Sequence, residues 1–170
     1  KDNDFIEKIE LQDLSFSYHS RPDVSVLHDI NLTLHRGQVT ALVGQTGSGK
    51  STIARLLLRL YDGYEGSITL DGDELSSLDI EALRAQLSVV NQDPYLFKAS
   101  IEENISLWSD TVNMEDCRRV ARLARADSFI ESREDGYAHL LTERGGNLSV
   151  GEKQLLSIAR AMVRETPIVI

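Results

Sequence analysis

The stretch Gly44-Gln45-Thr46-Gly47-Ser48-Gly49-Lys50-Ser51 spells G-x-x-x-x-G-K-S and stands between an apolar run and an amphipathic one. The run before it, Val39-Thr40-Ala41-Leu42-Val43, is short and almost wholly apolar, which predicts a parallel strand buried on both faces. After it, Ile53, Leu56, Leu57 and Leu60 fall at i, i+3, i+4 and i+7 and leave Arg55 and Arg59 for the other face, so a helix is expected. Strand, loop and helix is the order that phosphate binding needs. Glycines let successive backbone N–H groups curl round an anion, and the helix aims its positive end at the same point. Lys50 adds a full charge for β and γ phosphates, and the Ser51 hydroxyl is placed to ligate Mg²⁺ between them. A plain glycine-rich turn is the alternative, and the strand and helix context weighs against it.

The whole sequence has 170 residues, enough for one domain with a real core. Its 18 basic and 27 acidic residues give a net charge of −9, which argues against a nucleic-acid-binding surface and suits one locally positive pocket. No apolar run approaches the roughly 18 residues of a membrane helix. Lys1-Asp2-Asn3-Asp4 lacks the basic and apolar regions of a signal peptide, so the chain reads as soluble, with any membrane role borrowed from elsewhere. The single cysteine, Cys117, shares helical spacing with Val120, Ala121 and Ala124 and reads as a core thiol in a reducing compartment.

Taken in order, Ile9 and Leu11 alternate, then Leu14, Phe16 and Tyr18, with a phase slip across Gln12-Asp13 that predicts a bulge. Ile30, Leu32 and Leu34 alternate again, so the opening reads as antiparallel sheet. Ser67-Ile68-Thr69-Leu70 before Asp71-Gly72 predicts a short strand and turn, and a helix follows through Ile80, Leu83, Arg84 and Leu87. Leu87-Ser88-Val89-Val90 reads as a second core strand with Gln92 just past its end, where ligands of open α/β sheets collect. Beyond Asp93 the texture turns helical. Ser100 with Glu103 and Ser149 with Glu152 form capping boxes, and Asn113 caps a third helix whose Arg118, Arg119, Arg122 and Arg125 read as a solvated face. The last helix should bury Leu155, Ile158, Ala159 and Met162, and Ile168-Val169-Ile170 begins a third strand, from which an incomplete domain is expected.

With these residues placed, the chain from Tyr18 to Ile170 resembles the ATP-binding domain of an ABC transporter. Leu148-Ser149-Val150-Gly151-Glu152-Lys153-Gln154 is similar to the family's signature, Gln92 to its lid glutamine, Tyr18 to its adenine-stacking aromatic and Thr142-Glu143-Arg144-Gly145-Gly146 to the exporter loop before the signature. Leu96 to Ile105, read as Leu-Phe-Lys-Ala-Ser-Ile-Glu-Glu-Asn-Ile, resembles the exporter branch. The resemblance implies an α/β fold: a P-loop NTPase (RecA-like) parallel core sheet, an N-terminal antiparallel β-subdomain and an inserted α-helical subdomain, with the C-terminal part missing. Residues 1–38 would form the antiparallel subdomain, 39–92 the phosphate-loop core, 93–147 the helical subdomain and 148–170 the signature helix with the start of the next strand.

It also implies a site. ATP would be held by Tyr18, Val26, Gly44, Gln45, Thr46, Gly47, Ser48, Gly49, Lys50, Ser51, Thr52 and Gln92, and Mg²⁺ by Ser51 and Gln92. Lys50 and Gln92 are the catalytic candidates, a catalytic glutamate being expected beyond Ile170. Ser149, Val150, Gly151 and Glu152 would meet the ATP of a partner domain in a head-to-tail dimer, homo- or heteromeric. A membrane-spanning domain in the same full-length chain or a partner completes the expected assembly, at the cytoplasmic face of the membrane. Val150 departs from the usual glycine, and Glu152-Lys153 from glutamine-arginine, which puts the contact with the partner's phosphates in doubt. None of the four histidines, His19, His28, His35 and His139, matches the family's switch histidine, and each reads as a surface residue. The alternatives are a non-transport ABC ATPase acting on nucleic acid or the ribosome, and the non-hydrolysing half of a heterodimer.

Overall fold

A computed structural model describes residues 7–170, so the expectation for Lys1 to Asp4 lies outside the described residues. The chain divides into two compact units, Lys1–Leu87 and Ser88–Ile170.

In the first unit, β1 (Lys8–Ser17) lies between β2 (Ser25–His35) and β3 (Glu65–Leu70), both antiparallel to it, and β4 (Asp73–Glu74) extends the sheet beyond β3. Alternation puts Ile9, Leu11, Leu14, Phe16, Leu27 and Ile68 inside. The phase slip across Gln12-Asp13 is a bulge: the register with β2 shifts between Leu11 and Leu14, and Asp13 takes φ 47°. Gly66 at φ 84° faces it so closely that a Cβ would stand 2.4 Å from the Gln12 carbonyl oxygen, so a side chain there would break the β1–β3 pairing.

Two expectations for the first unit are corrected. Residues 39–43 form no strand, and Val39 and Val43 are 101% and 92% exposed. A buried strand needs a ladder on each side, and among the described residues no strand pairs with this segment. The helix α1 (Lys50–Leu57) buries Thr52, Ile53, Leu56 and Leu57 but ends before Leu60, which is exposed. Arg59 adopts φ 47°, its N–H donates to Leu56 O, and the Leu60 N–H reaches back to Arg55 O at 3.0 Å, a Schellman termination that turns Leu60 outward. The helix α2 (Ile80–Ala85), capped by Asp79, completes this unit.

The second unit packs α3 (Ile101–Ser106), α4 (Met114–Leu123), α5 (Asp127–Glu131) and α6 (Val150–Val163) around one core. All three expected caps form, from Ser100, Asn113 and Ser149, each as a complete capping box. Cys117, Val120 and Ala121 face inward as the spacing required, and burial pushes the Cys117 thiol up to about 11, which leaves it inert. The buried stripe of α6 runs through Leu156, Ala159 and Val163, while Leu155, Ile158 and Met162 are half-buried beside it. Leu107 sits exposed at φ 52° just past α3. The strand expected over 87–90 is short. Among the described residues the two short strands paired here are β5 (Leu87–Ser88) and β6 (Ile168–Val169). The Ile170 N–H donates to Ser88 O at 2.9 Å and the Val90 N–H to Ile170 O at 2.7 Å, the slanted pattern of a parallel pair.

Candidate functional site

Gly44 to Lys50 fold into a compact loop at the N-terminus of α1. The Lys50 ammonium turns back into it, donating to the carbonyl oxygens of Gly44 at 2.8 Å and Gln45 at 2.7 Å and lying 3.3 Å from Ser48 Oγ. Its charge therefore sits at the loop's centre. No side chain caps α1, whose N-cap Gly49 has φ 87°, so the positive end of the helix is left for an anion. A Cβ at Gly49 would lie 2.5 Å from Leu27 Cδ2 and 3.0 Å from Val26 O. The loop is thus seated on β2, and Val26 beside it. Gly44, Gln45, Thr46, Gly47 and Ser48 are exposed, as is Ser51, while Thr52 is buried. The donor set suits a triphosphate: a lysine ammonium in the loop, an uncapped helix N-terminus behind it and an exposed hydroxyl for the metal.

Tyr18 lies just past β1, where the Arg21 N–H donates to its carbonyl oxygen. Its ring meets Phe16 and Tyr61 edge-on, with centroids 5.0 Å away in each case. Among the described residues no ring stacks parallel on it. The hydroxyl shares a 2.9 Å hydrogen bond with Thr52 Oγ1 and accepts from Arg55 Nη1 at 3.2 Å. Burial alone would raise the Tyr18 pKa, but those two hydrogen bonds and the Arg55 charge outweigh it and hold the hydroxyl below its ordinary value. The structure thus brings Tyr18, Val26, Thr52 and the phosphate loop together in one unit. Arg55, left to the other face of the helix by its spacing, is part of the same arrangement.

Gln92 belongs to the second unit, exposed in the bend after Val90. In the same unit, α6 begins at Val150 with its N-terminus closed by its own box: the Glu152 N–H donates to Ser149 Oγ at 3.3 Å, and the Glu152 carboxylate accepts from the Ser149 N–H at 2.7 Å. Val150 is 74% exposed, and a Cβ at Gly151 would meet nothing within 4 Å. The doubtful carboxylate is paired. Arg133 Nη2 donates to Glu152 at 2.9 Å, both side chains being half-buried, and the charge at the helix start is offset locally. The Glu152 carboxyl lies below its usual range, chiefly through the Ser149 N–H, with burial opposing and Arg133 assisting. His139, read as a surface residue, is half-buried here, its Nε2 3.1 Å from Asn147 Nδ2 and 3.5 Å from Arg133 Nη1.

Another arginine escaped the sequence reading. Arg160 of α6 donates to Asn104 O, Asn104 Oδ1 and Tyr95 O at 2.8, 3.0 and 2.8 Å, tying the signature helix to the segment after Gln92. Its signal was its place one turn after Leu156 on the apolar stripe, where a solvated arginine has no business. Arg133 carried no such signal.

The ABC transporter family model matches residues 27–170. The chain belongs to the ABC transporter family. It is 44% identical over 162 residues to the multidrug resistance protein pgp-1 of Caenorhabditis elegans, an alignment covering 95% of this chain and 12% of that protein. It is 45% identical over 163 residues to ABC transporter B family member 1 of Dictyostelium discoideum, covering 96% of this chain and 18% of the relative. The solved structure of a bacterial Atm1-family ABC exporter with ATP bound matches at a TM-score of 0.90 and 37% identity, over 96% of this chain and 28% of the exporter. This ABC domain is therefore α/β, with the antiparallel subdomain and helices of an exporter nucleotide-binding domain. It spans less than a fifth of the length of these two curated relatives. No helix among its described residues is long and apolar enough to cross a membrane.

Proposed function

We propose that this ABC domain is the ATP-binding and ATP-hydrolysing module of an exporter, closing head-to-tail with a second such domain around ATP to drive a substrate across a membrane. The observation that carries the reading is the phosphate loop: Lys50 folded into its centre, Gly49 seated on β2 and an uncapped helix end behind them. Its own residues have distinct tasks. Lys50 pairs with the β and γ phosphates, Thr52 supplies a hydroxyl beneath them and Tyr18, with Val26 beside it, offers its ring to adenine. Ser51 and Gln92 are assigned to Mg²⁺ by their motifs, and the ion when bound neutralises charge on the triphosphate. Gln92 orients water. Ser149, Val150, Gly151 and Glu152 face the partner's ATP, and the Arg133 pair keeps Glu152 from repelling it. A membrane-spanning domain, in the same full-length chain or a partner, receives the motion, which places the module at the cytoplasmic face of the membrane. No nucleic acid is involved.

Within residues 7–170 no carboxylate is placed as a base beside the phosphate loop by motif, and a neutral glutamine is a poor one. The 170-residue chain should therefore bind ATP yet release phosphate far more slowly than a version extended through the family's catalytic carboxylate. Measuring phosphate release from both, with folding checked by circular dichroism, tests this; equal turnover would sink it. Lys50→Ala should remove a charge-assisted contact worth roughly 1.5–3 kcal/mol, read by titration with a fluorescent ATP analogue.

A further inference from the structure

We infer that Arg55 is a positioning residue for the base of the nucleotide, acting through the Tyr18 hydroxyl to hold the aromatic platform at a fixed distance from the phosphate loop. The inference deepens the reading of Tyr18 as the adenine platform and rests on it.

Tyr18 is the first residue past the end of β1, in a tight turn, where the backbone alone fixes the ring poorly. Its neighbours Phe16 and Tyr61 meet it edge-on at 5.0 Å, which restrains the body of the ring but not its tip. The tip is held by α1. A guanidinium can only donate, so the Tyr18 oxygen accepts from Arg55 Nη1 and is left to share its remaining hydrogen bond with Thr52 Oγ1. Thr52 and Arg55 are three residues apart on α1 and so lie on neighbouring turns of one face. That helix begins in the phosphate loop. The platform for the base and the donors for the phosphates are thereby fixed to the same rigid element, and their separation is set by helix geometry rather than by the turn after β1. Stacking needs the ring in one orientation, and one held there in advance loses less freedom when the base arrives.

The same arrangement separates this role from simple charge attraction. If Arg55 merely drew in phosphate, every polyphosphate would feel its loss; if it positions the ring, only a ligand carrying a base would.

The test is a double-mutant cycle in the full-length protein, with ATP and inorganic tripolyphosphate each displacing a fluorescent ATP analogue. Arg55→Met should weaken ATP by about 3- to 10-fold and leave tripolyphosphate unchanged. Tyr18→Phe should weaken ATP by a similar factor, and the double variant should be no worse than either alone, because both remove one link. Equal losses for tripolyphosphate, additive losses, or no loss would overturn the proposal. Should Arg55→Met fail to fold by circular dichroism, Arg55→Gln carries the same cycle with Tyr18→Phe. Tyr18→Ala separates the two layers. If it weakens ATP selectively while Arg55→Met is silent, only the positioning role falls; if it leaves ATP unaffected relative to tripolyphosphate, the platform reading falls and the inference with it.

Discussion

Gly49 is the residue at which the phosphate loop, β2 and α1 meet, and it tolerates no side chain. Its φ of 87° is strained for an L-residue, and a Cβ would press into Leu27 and the Val26 carbonyl. Gly49→Ala should cost about 1–3 kcal/mol of stability by chemical denaturation and weaken ATP by displacing the loop; an unchanged midpoint and affinity would refute this account. Much at this scale was legible beforehand. The glycines, Lys50 and Ser51 stand out because their spacing along the chain is that of a G-x-x-x-x-G-K-S motif, and the loop with Lys50 folded into it forms at that place. Arg55 and Arg133 did not, because their partners, Tyr18 and Glu152, lie 37 and 19 residues away, and on a helix face or in a loop an arginine reads as solvated until the fold supplies its neighbour.

Capping and termination decide where the helices run. Ser149 and Glu152 close α6, and the Glu152 carboxyl is held below its usual range. A depressed folded-state value means stabilisation that is complete above the unfolded carboxyl's pKa and lost as pH falls through the lower folded value. Acid should therefore loosen the start of α6 below about pH 4, and Glu152→Gln should flatten that dependence while costing about 1 kcal/mol at neutral pH through the lost Arg133 pair; hydrogen exchange at Val150 to Lys153 reports both. After α4, Arg125 adopts φ 60° while the Ala126 N–H reaches Ala121 O at 2.8 Å, a Schellman end with arginine where glycine fits best. Arg125→Gly should raise stability by about 0.5–1 kcal/mol, seen as a higher melting temperature. Caps are local, and Ser100, Asn113 and Ser149 were all legible, although Asp116 as the second half of the Asn113 box was not. The end of α1 was not local in that sense: Arg59 in the left-handed region stops the helix, and no periodicity marks an arginine for that role.

At the scale of the molecule, two units of unlike texture follow one another, antiparallel sheet with the phosphate loop and then helices around one core. The sequence reads as helices and polar loops from Asp93 onward, and the helices of the second unit, α3 to α6, all lie beyond that point. The strand expected over 39–43 did not form, because a buried parallel strand is specified by its neighbours more than by its own residues. Its present state has a practical consequence. Val39-Thr40-Ala41-Leu42-Val43 carries no charge and no proline, with two bared valines and no main-chain partner among the described residues, the makings of an adhesive edge. Handled alone at high concentration, the 170-residue chain should scatter light increasingly with time as copies zip together along this edge. Val39→Lys should keep it clear without altering ATP affinity, and turbidity indifferent to that charge would point to glue elsewhere.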